Sequence, residues 1–123
     1  MAIALGSRND TVFSSVKIMK QKTSLHGLRV IDFTRVVAGP YSTSILGDLG
    51  AEIIKIERPG TGDDSRGWGP PFVGEVSSYF LGLNRNRRSV AIDLQTPEGV
   101  EIARKLIALA DVVVDSFRPG VMD

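Results

Sequence analysis

A chain of 123 residues, 42% hydrophobic and 24% charged, is long enough for one modest core and too short for two. Fifteen Lys and Arg against fourteen Asp and Glu leave a net charge of +1, so no overall field draws the chain to nucleic acid or anionic lipid, and any anion binding has to be local. The lack of cysteine excludes a disulfide framework, a thiolate zinc site and a cysteine nucleophile; no apolar run reaches the roughly 20 residues that cross a bilayer, so a soluble, intracellular protein is expected.

Residues 1 to 24 are basic and rich in hydroxyls: Arg8, Lys17, Lys20 and Lys22 oppose only Asp10. Such a bias fits a mitochondrial transit segment or a leader with no role of its own. From there the chain alternates. Leu28 to Phe33 is a β-prone run; Pro40 opens a short helix with Tyr41, Ile45, Leu46 and Leu49 as its apolar positions and Gly50 as its cap; Ala51 to Ile56 is a second strand. This strand, helix and strand have the size of a βαβ unit and predict a parallel pair. Gly60 to Gly74, rich in glycine, proline and charge, is a long loop. Val76 to Leu83 suits either a short helix or an extended segment, and Ser89 to Leu94 alternates like a third strand. Thr96 is an N-cap with Pro97 in the first turn of a helix whose stripe is Val100, Ala103, Ile107 and Ala110. Asp111 to Asp115 is a fourth strand, followed by a loop from Ser116 to Gly120. The fold class is α/β, a mostly parallel sheet with flanking helices.

Ligands of open α/β sheets gather at the carboxyl ends of the strands, where three loops stand out: Thr34 to Pro40, Glu57 to Gly74, and Ser116 to Gly120. The first ends at a helix start, which favours an anion, although no G-x-G-x-x-G or P-loop pattern is present. Arg58, just after the second strand, occupies the position where an arginine binds a ribose phosphate; the plainer reading is a surface pair with Glu57 or Asp63. Arg85, Arg87 and Arg88 form a basic cluster that reads first as a charged, solvated turn, and second as a nucleic-acid patch that lacks interleaved aromatics. Asp63-Asp64 reads as solvated rather than metal-binding. Trp68, Pro70, Pro71 and Phe72 either wall a pocket or staple the loop to the core.

Five segments in order, LRVIDFTRVVAGP (28 to 40), GDLGAEIIKIERPG (47 to 60), GDDSRGWGPPFVG (62 to 74), NRNRRSVAID (84 to 93) and ADVVVDSFRPG (110 to 120), resemble the start of the class III CoA-transferases, the CaiB/BaiF family. The third looks most like the branch that moves CoA between succinate and glutarate or hydroxymethylglutarate, mitochondrial in animals. The resemblance implies a Rossmann-like, CoA-binding N-terminal part over residues 25 to 123, an interlocked homodimer, and acyl-CoA and carboxylic acids as substrates. It implies that main chain at Val36, Val37 and Ala38 lies against CoA, that Arg58 meets the phosphate end, and that Ile92, Asp93, Leu94 and Gln95 enclose the adenosine. Asn84, Asn86 and Arg88 match N-x-N-[KR]-[KR]-S; Ser116, Phe117 and Arg118 fall in the E-N-[FY]-x-P-G segment, where Asp115 and Ser116 replace the usual Glu and Asn. The family's aspartate nucleophile, which forms a mixed anhydride, belongs to a later segment, so the expected reading is an N-terminal piece, inactive alone. No catalytic residue, metal or cofactor is assigned here; CoA enters as substrate. A non-catalytic nucleotide-binding module and a basic-patch interaction protein are the competing expectations.

Overall fold

The computed structural model describes residues 23 to 122; the leader, apart from Thr23 and Ser24, lies outside them. Four strands, β1 (Arg29–Asp32), β2 (Glu52–Glu57), β5 (Arg87–Ala91) and β6 (Val112–Val114), form one sheet in the order β5-β2-β1-β6, every pair parallel. This is the order taken by the first four strands of a doubly wound sheet. Helix α1 (Ala38–Asp48) joins β1 to β2, and α3 (Pro97–Ile107) carries the chain from β5 back across to β6. Between β2 and β5 lie a 3-10 turn (Asp64–Gly67), a small antiparallel hairpin of β3 (Phe72–Val73) and β4 (Val76–Ser77), and the short helix α2 (Ser78–Leu83). The segment from 76 to 83 is thus extended first and helical after.

Alternation along the strands gives the sheet two unlike faces. Ile31, Phe33, Ile54, Ile56 and Ile92 pack with Ala103, Leu106 and Ile107 of α3 as an apolar layer. The opposite face begins apolar, with Val30 and Ile53 against Leu46 of α1, and becomes ionic toward the carboxyl ends of β1 and β2, with Asp32, Lys55 and Glu57, onto which Arg87 and Ser89 of β5 extend their side chains. That polarity turns three of the four apolar positions of α1 away from the sheet, Leu46 alone packing against it. The buried residues of the helix are Pro40, Thr43 and Ser44, while Tyr41, Ile45 and Leu49 are exposed. Small hydroxyls face inward because the sheet beneath offers a carboxylate and a guanidinium: Thr43 Oγ1 donates to Asp32 at 2.7 Å, and Arg87 Nη2 reaches Ser44 Oγ at 2.6 Å.

The third strand runs from Arg87 to Ala91 rather than from Ser89 to Leu94, and the same layer explains its start. Arg87 is not a solvated turn residue; its side chain is 3% exposed and bonds Asp32 at 2.8 Å and the Pro40 carbonyl at 2.7 Å. Helix α3 follows the sequence expectation, with Thr96 Oγ1 accepting from the Gly99 N–H at 3.1 Å and Glu98 in the first turn. Gly99 is required by packing, since any side chain there would collide with the Asp93 carbonyl.

Candidate functional site

At the carboxyl ends of β1, β2 and β5, on the α3 side, lies an open cleft of about 670 Å3. Phe33 just after β1, Ile56 of β2 and Val100, Ala103 and Ile107 from α3 give it apolar walls; Arg35, Arg58 and Arg104 supply cations at its border. Ile92, Asp93, Leu94 and Gln95 enclose one side, and Phe117, Val121 and Met122 the other. Arg58 is half-exposed and paired with Asp64. Among the described residues neither Arg35 nor Arg104 has a carboxylate partner; Arg35 instead lies over the Phe117 ring, 5.6 Å from its centroid. An apolar cleft bordered by uncommitted guanidinium groups suits a flat, apolar body carrying anionic groups.

The Ile92–Gln95 wall is held by the chain itself. Ile92 N–H donates to the Glu57 carbonyl at 2.9 Å, Gln95 N–H to Asp93 Oδ1 at 3.0 Å, and Thr96 Oγ1 to the Asp93 carbonyl at 2.9 Å. Behind the cleft, Glu57 accepts from Arg66 at both carboxylate oxygens, from Ser89 and from the Asp63 N–H. Burial pushes the Glu57 carboxyl up, but the Arg66, Ser89 and Asp63 hydrogen bonds outweigh it and hold the group below its usual value. Asp63 behaves alike: burial raises it, and the Ser65 hydroxyl and N–H and the Lys55 ammonium bring it below the ordinary range. Asp63 is therefore not solvated, whereas Asp64 is.

The remaining sequence-selected residues divide. Val36, Val37 and Ala38 form the turn from β1 into α1 beside Arg35; the Val36 N–H points inward to Asp63, at 3.2 and 3.3 Å from its two oxygens, and Val37 carbonyl accepts from Tyr41. Ser116 Oγ accepts from the Arg35 N–H at 3.3 Å, and Arg118 is exposed outside the cleft lining. Asn84, Asn86 and Arg88 stand at the amino end of β5, the opposite end of the sheet. Asn84 Nδ2 donates to the Phe80 carbonyl at 2.9 Å, Asn86 Nδ2 to Asp48 at 2.6 Å, and Arg88 pairs with Glu52. With Arg85 on Asp48 as well, each arginine of the basic cluster faces a carboxylate. Trp68 meets Tyr79 at 5.6 Å and its carbonyl accepts from Ser77, so this turn staples the loop to α2 rather than walling the cleft.

As site residues, Arg35, Arg104, Ile56 of β2 and Phe33 just after β1 were passed over by sequence reasoning. Arg104 carried a signal: with Val100, Ala103 and Ile107 it falls at i, i+3, i+4 and i+7, a charge inside an apolar stripe. Among the described residues no cluster of His, Cys, Asp and Glu could hold a metal ion, and no helix is long and apolar enough to cross a membrane.

Residues 25–123 match the model of CoA-transferase family III. The chain belongs to this family. It is 56% identical over 96 residues to mouse succinyl-CoA:glutarate CoA-transferase, covering 78% of this chain and 22% of that protein. Over 104 residues it is 45% identical to the succinate–glutarate CoA-transferase of Agrobacterium fabrum, covering 80% and 26%. A crystal structure of a CaiB/BaiF family protein from Brucella suis superposes with a TM-score of 0.79 at 48% identity, over 84% of this chain and 28% of that one. The family III chain thus spans about a quarter of the length of these relatives.

Proposed function

We propose that this chain forms the CoA-binding part, residues 25 to 123, of an enzyme that moves CoA between carboxylic acids, the acids being dicarboxylates such as succinate and glutarate. The observation that carries the reading is the cleft, which joins Arg58 and Ile92–Gln95, selected from the sequence, to an apolar floor and two further arginines. In it Arg58 pairs with the 3′-phosphate, Ile92–Gln95 and Ile56 enclose the adenosine, and Phe117 with Arg35 borders the route toward the thioester. CoA is a substrate and not a resident cofactor. The acyl group passes through a mixed anhydride on an aspartate that the family resemblance puts in a later segment, so these residues alone bind and do not transfer. The whole enzyme works as an interlocked homodimer. Mitochondrial delivery is proposed from the basic, hydroxyl-rich residues 1 to 24 and from the resemblance to a branch that is mitochondrial in animals.

The acids themselves are selected elsewhere. A formyl-CoA:oxalate CoA-transferase is 46% identical to this chain and an acetyl-CoA:oxalate enzyme 48%, so similar segments accompany different acids. Calorimetric titration with CoA and dephospho-CoA tests the reading. CoA should bind more tightly, and Arg58→Ala should remove about 1–3 kcal/mol of that advantage, the worth of a charge-assisted contact. Equal affinity for both compounds in the unaltered chain would reject the assignment of Arg58.

A further inference from the structure

Lys55 and Asp63 are buried on the α1 side of the sheet, with side chains 1% and 0% exposed and Nζ 2.9 Å from Oδ2. Buried ion pairs are often replaceable by apolar residues without loss of stability, so what this pair holds in place matters more than its own energy. It holds one turn. Lys55 Nζ donates to the Thr34 carbonyl at 2.7 Å, and the Asp63 carboxylate accepts the Val36 N–H. Asp32, one strand away, accepts the Thr34 N–H at 2.8 Å and its hydroxyl. Between these anchors Val36 has φ +72°, a conformation that a β-branched residue avoids unless its surroundings impose it. With residues 34 and 36 fixed from inside, Arg35 lines the cleft and Val37 is exposed at the start of α1.

We propose that Lys55 and Asp63 are positioning residues whose ion pair keeps the Thr34–Val37 turn in the shape that receives the arm of CoA remote from the adenosine. The proposal rests on the CoA reading of the cleft. The sheet order supplies the direction. Arg58 and Ile92–Gln95 follow β2 and β5, on one side of β1, while Ser116 and Phe117 follow β6 on the other. A ligand anchored at Arg58 and extending toward β6 passes the end of β1 with its pantetheine arm and thioester, so the turn meets that arm.

The test compares CoA with adenosine 3′,5′-bisphosphate, which keeps the phosphate end and lacks the arm, by calorimetric titration of the unaltered chain and of Lys55→Met combined with Asp63→Leu. Melting followed by circular dichroism checks that each is folded. Should the double replacement not fold, Asp63→Asn, nearly identical in shape, takes its place. If the turn is populated in its binding form only about one time in ten without the pair, the dissociation constant for CoA rises about tenfold while that for the bisphosphate stays within about twofold. Equal weakening of both compounds would mean that the pair merely supports the fold, and no weakening would mean that the turn holds its shape unaided; either overturns the proposal. Failure of the unaltered chain to bind either compound would instead bring down the CoA reading, and this proposal with it.

Discussion

Arg87 and Arg88 are adjacent in the chain and differ in surroundings, which makes Arg87→Met and Arg88→Met a direct test of the buried ionic layer. Arg87 is 3% exposed and its partner Asp32 fully buried; removing one member of such a pair leaves an uncompensated charge and costs about 3–5 kcal/mol. The Pro40 carbonyl and Ser44 hydroxyl lose a donor at the same time. Arg88 is 69% exposed against Glu52, and a pair of that kind is worth about 0–1 kcal/mol. One kcal/mol moves the midpoint of a domain of this size by roughly 4–8 °C, so Arg87→Met should lower Tm by at least about 12 °C and Arg88→Met by less than about 8 °C. Thermal melts and urea titrations of both variants measure the difference. Adding Asp32→Asn to Arg87→Met should recover part of the loss, because the uncompensated charge goes while an amide oxygen still accepts from the Thr34 N–H and hydroxyl. Equal shifts for the two single variants, or a loss below about 1 kcal/mol for Arg87→Met, would refute the buried-layer account.

Three further outcomes follow from the geometry. Asp63 and Glu57 have folded-state pKa values below their ordinary 3.8 and 4.5, so the stability they contribute is complete above those values and is lost as pH falls through the lower folded ones; urea midpoints should drop below about pH 4.5 and less so in Asp63→Asn. Val36→Gly relieves about 1–3 kcal/mol of backbone strain against about 0.5–1 kcal/mol of glycine entropy, so it should leave the melting point unchanged or raise it, and a fall of more than about 4 °C would show the turn to be unstrained. Arg104→Gln should weaken CoA binding about threefold to tenfold and flatten its salt dependence, whereas Lys105→Gln, on the neighbouring exposed Glu101 pair, should do neither.

Much of the scaffold was legible because it follows from local rules. The strands around Ile31 and Ile54, the Thr96 cap with Pro97, and the stripe on α3 all obey hydrophobic period and end chemistry. Where the reading went astray, one cause recurs. Periodicity identifies buried positions by their apolarity, and the α1 side of this sheet is buried and ionic. Of the apolar positions of α1, Leu46 therefore packs inward while Tyr41, Ile45 and Leu49 are exposed, and Arg87 and Asp63, which read as a solvated turn and a solvated loop acid, are buried. Arg58 was legible because it directly follows a strand, whereas Ile92–Gln95 came from the family resemblance, periodicity having kept Ile92 to Leu94 inside the third strand. Asn84, Asn86 and Arg88 entered through a motif whose spacing says nothing about which end of the sheet it occupies.

The contact between Gly99 and the Asp93 carbonyl makes the two sides of the cleft mechanically unequal. With no room for even one methyl group, the first turn of α3 rests on the Ile92–Gln95 segment like a hand on an anvil, and that wall can move only if the helix moves with it. The facing wall is anchored at Phe117, which packs against the core and under Arg35, while Arg118 to Met122 beyond it has only the Val121 N–H to the Arg118 carbonyl among the described hydrogen bonds. Any change in the width of the cleft is therefore absorbed on that second side, so reshaping it means altering residues after β6 and leaving the α3 junction as it is.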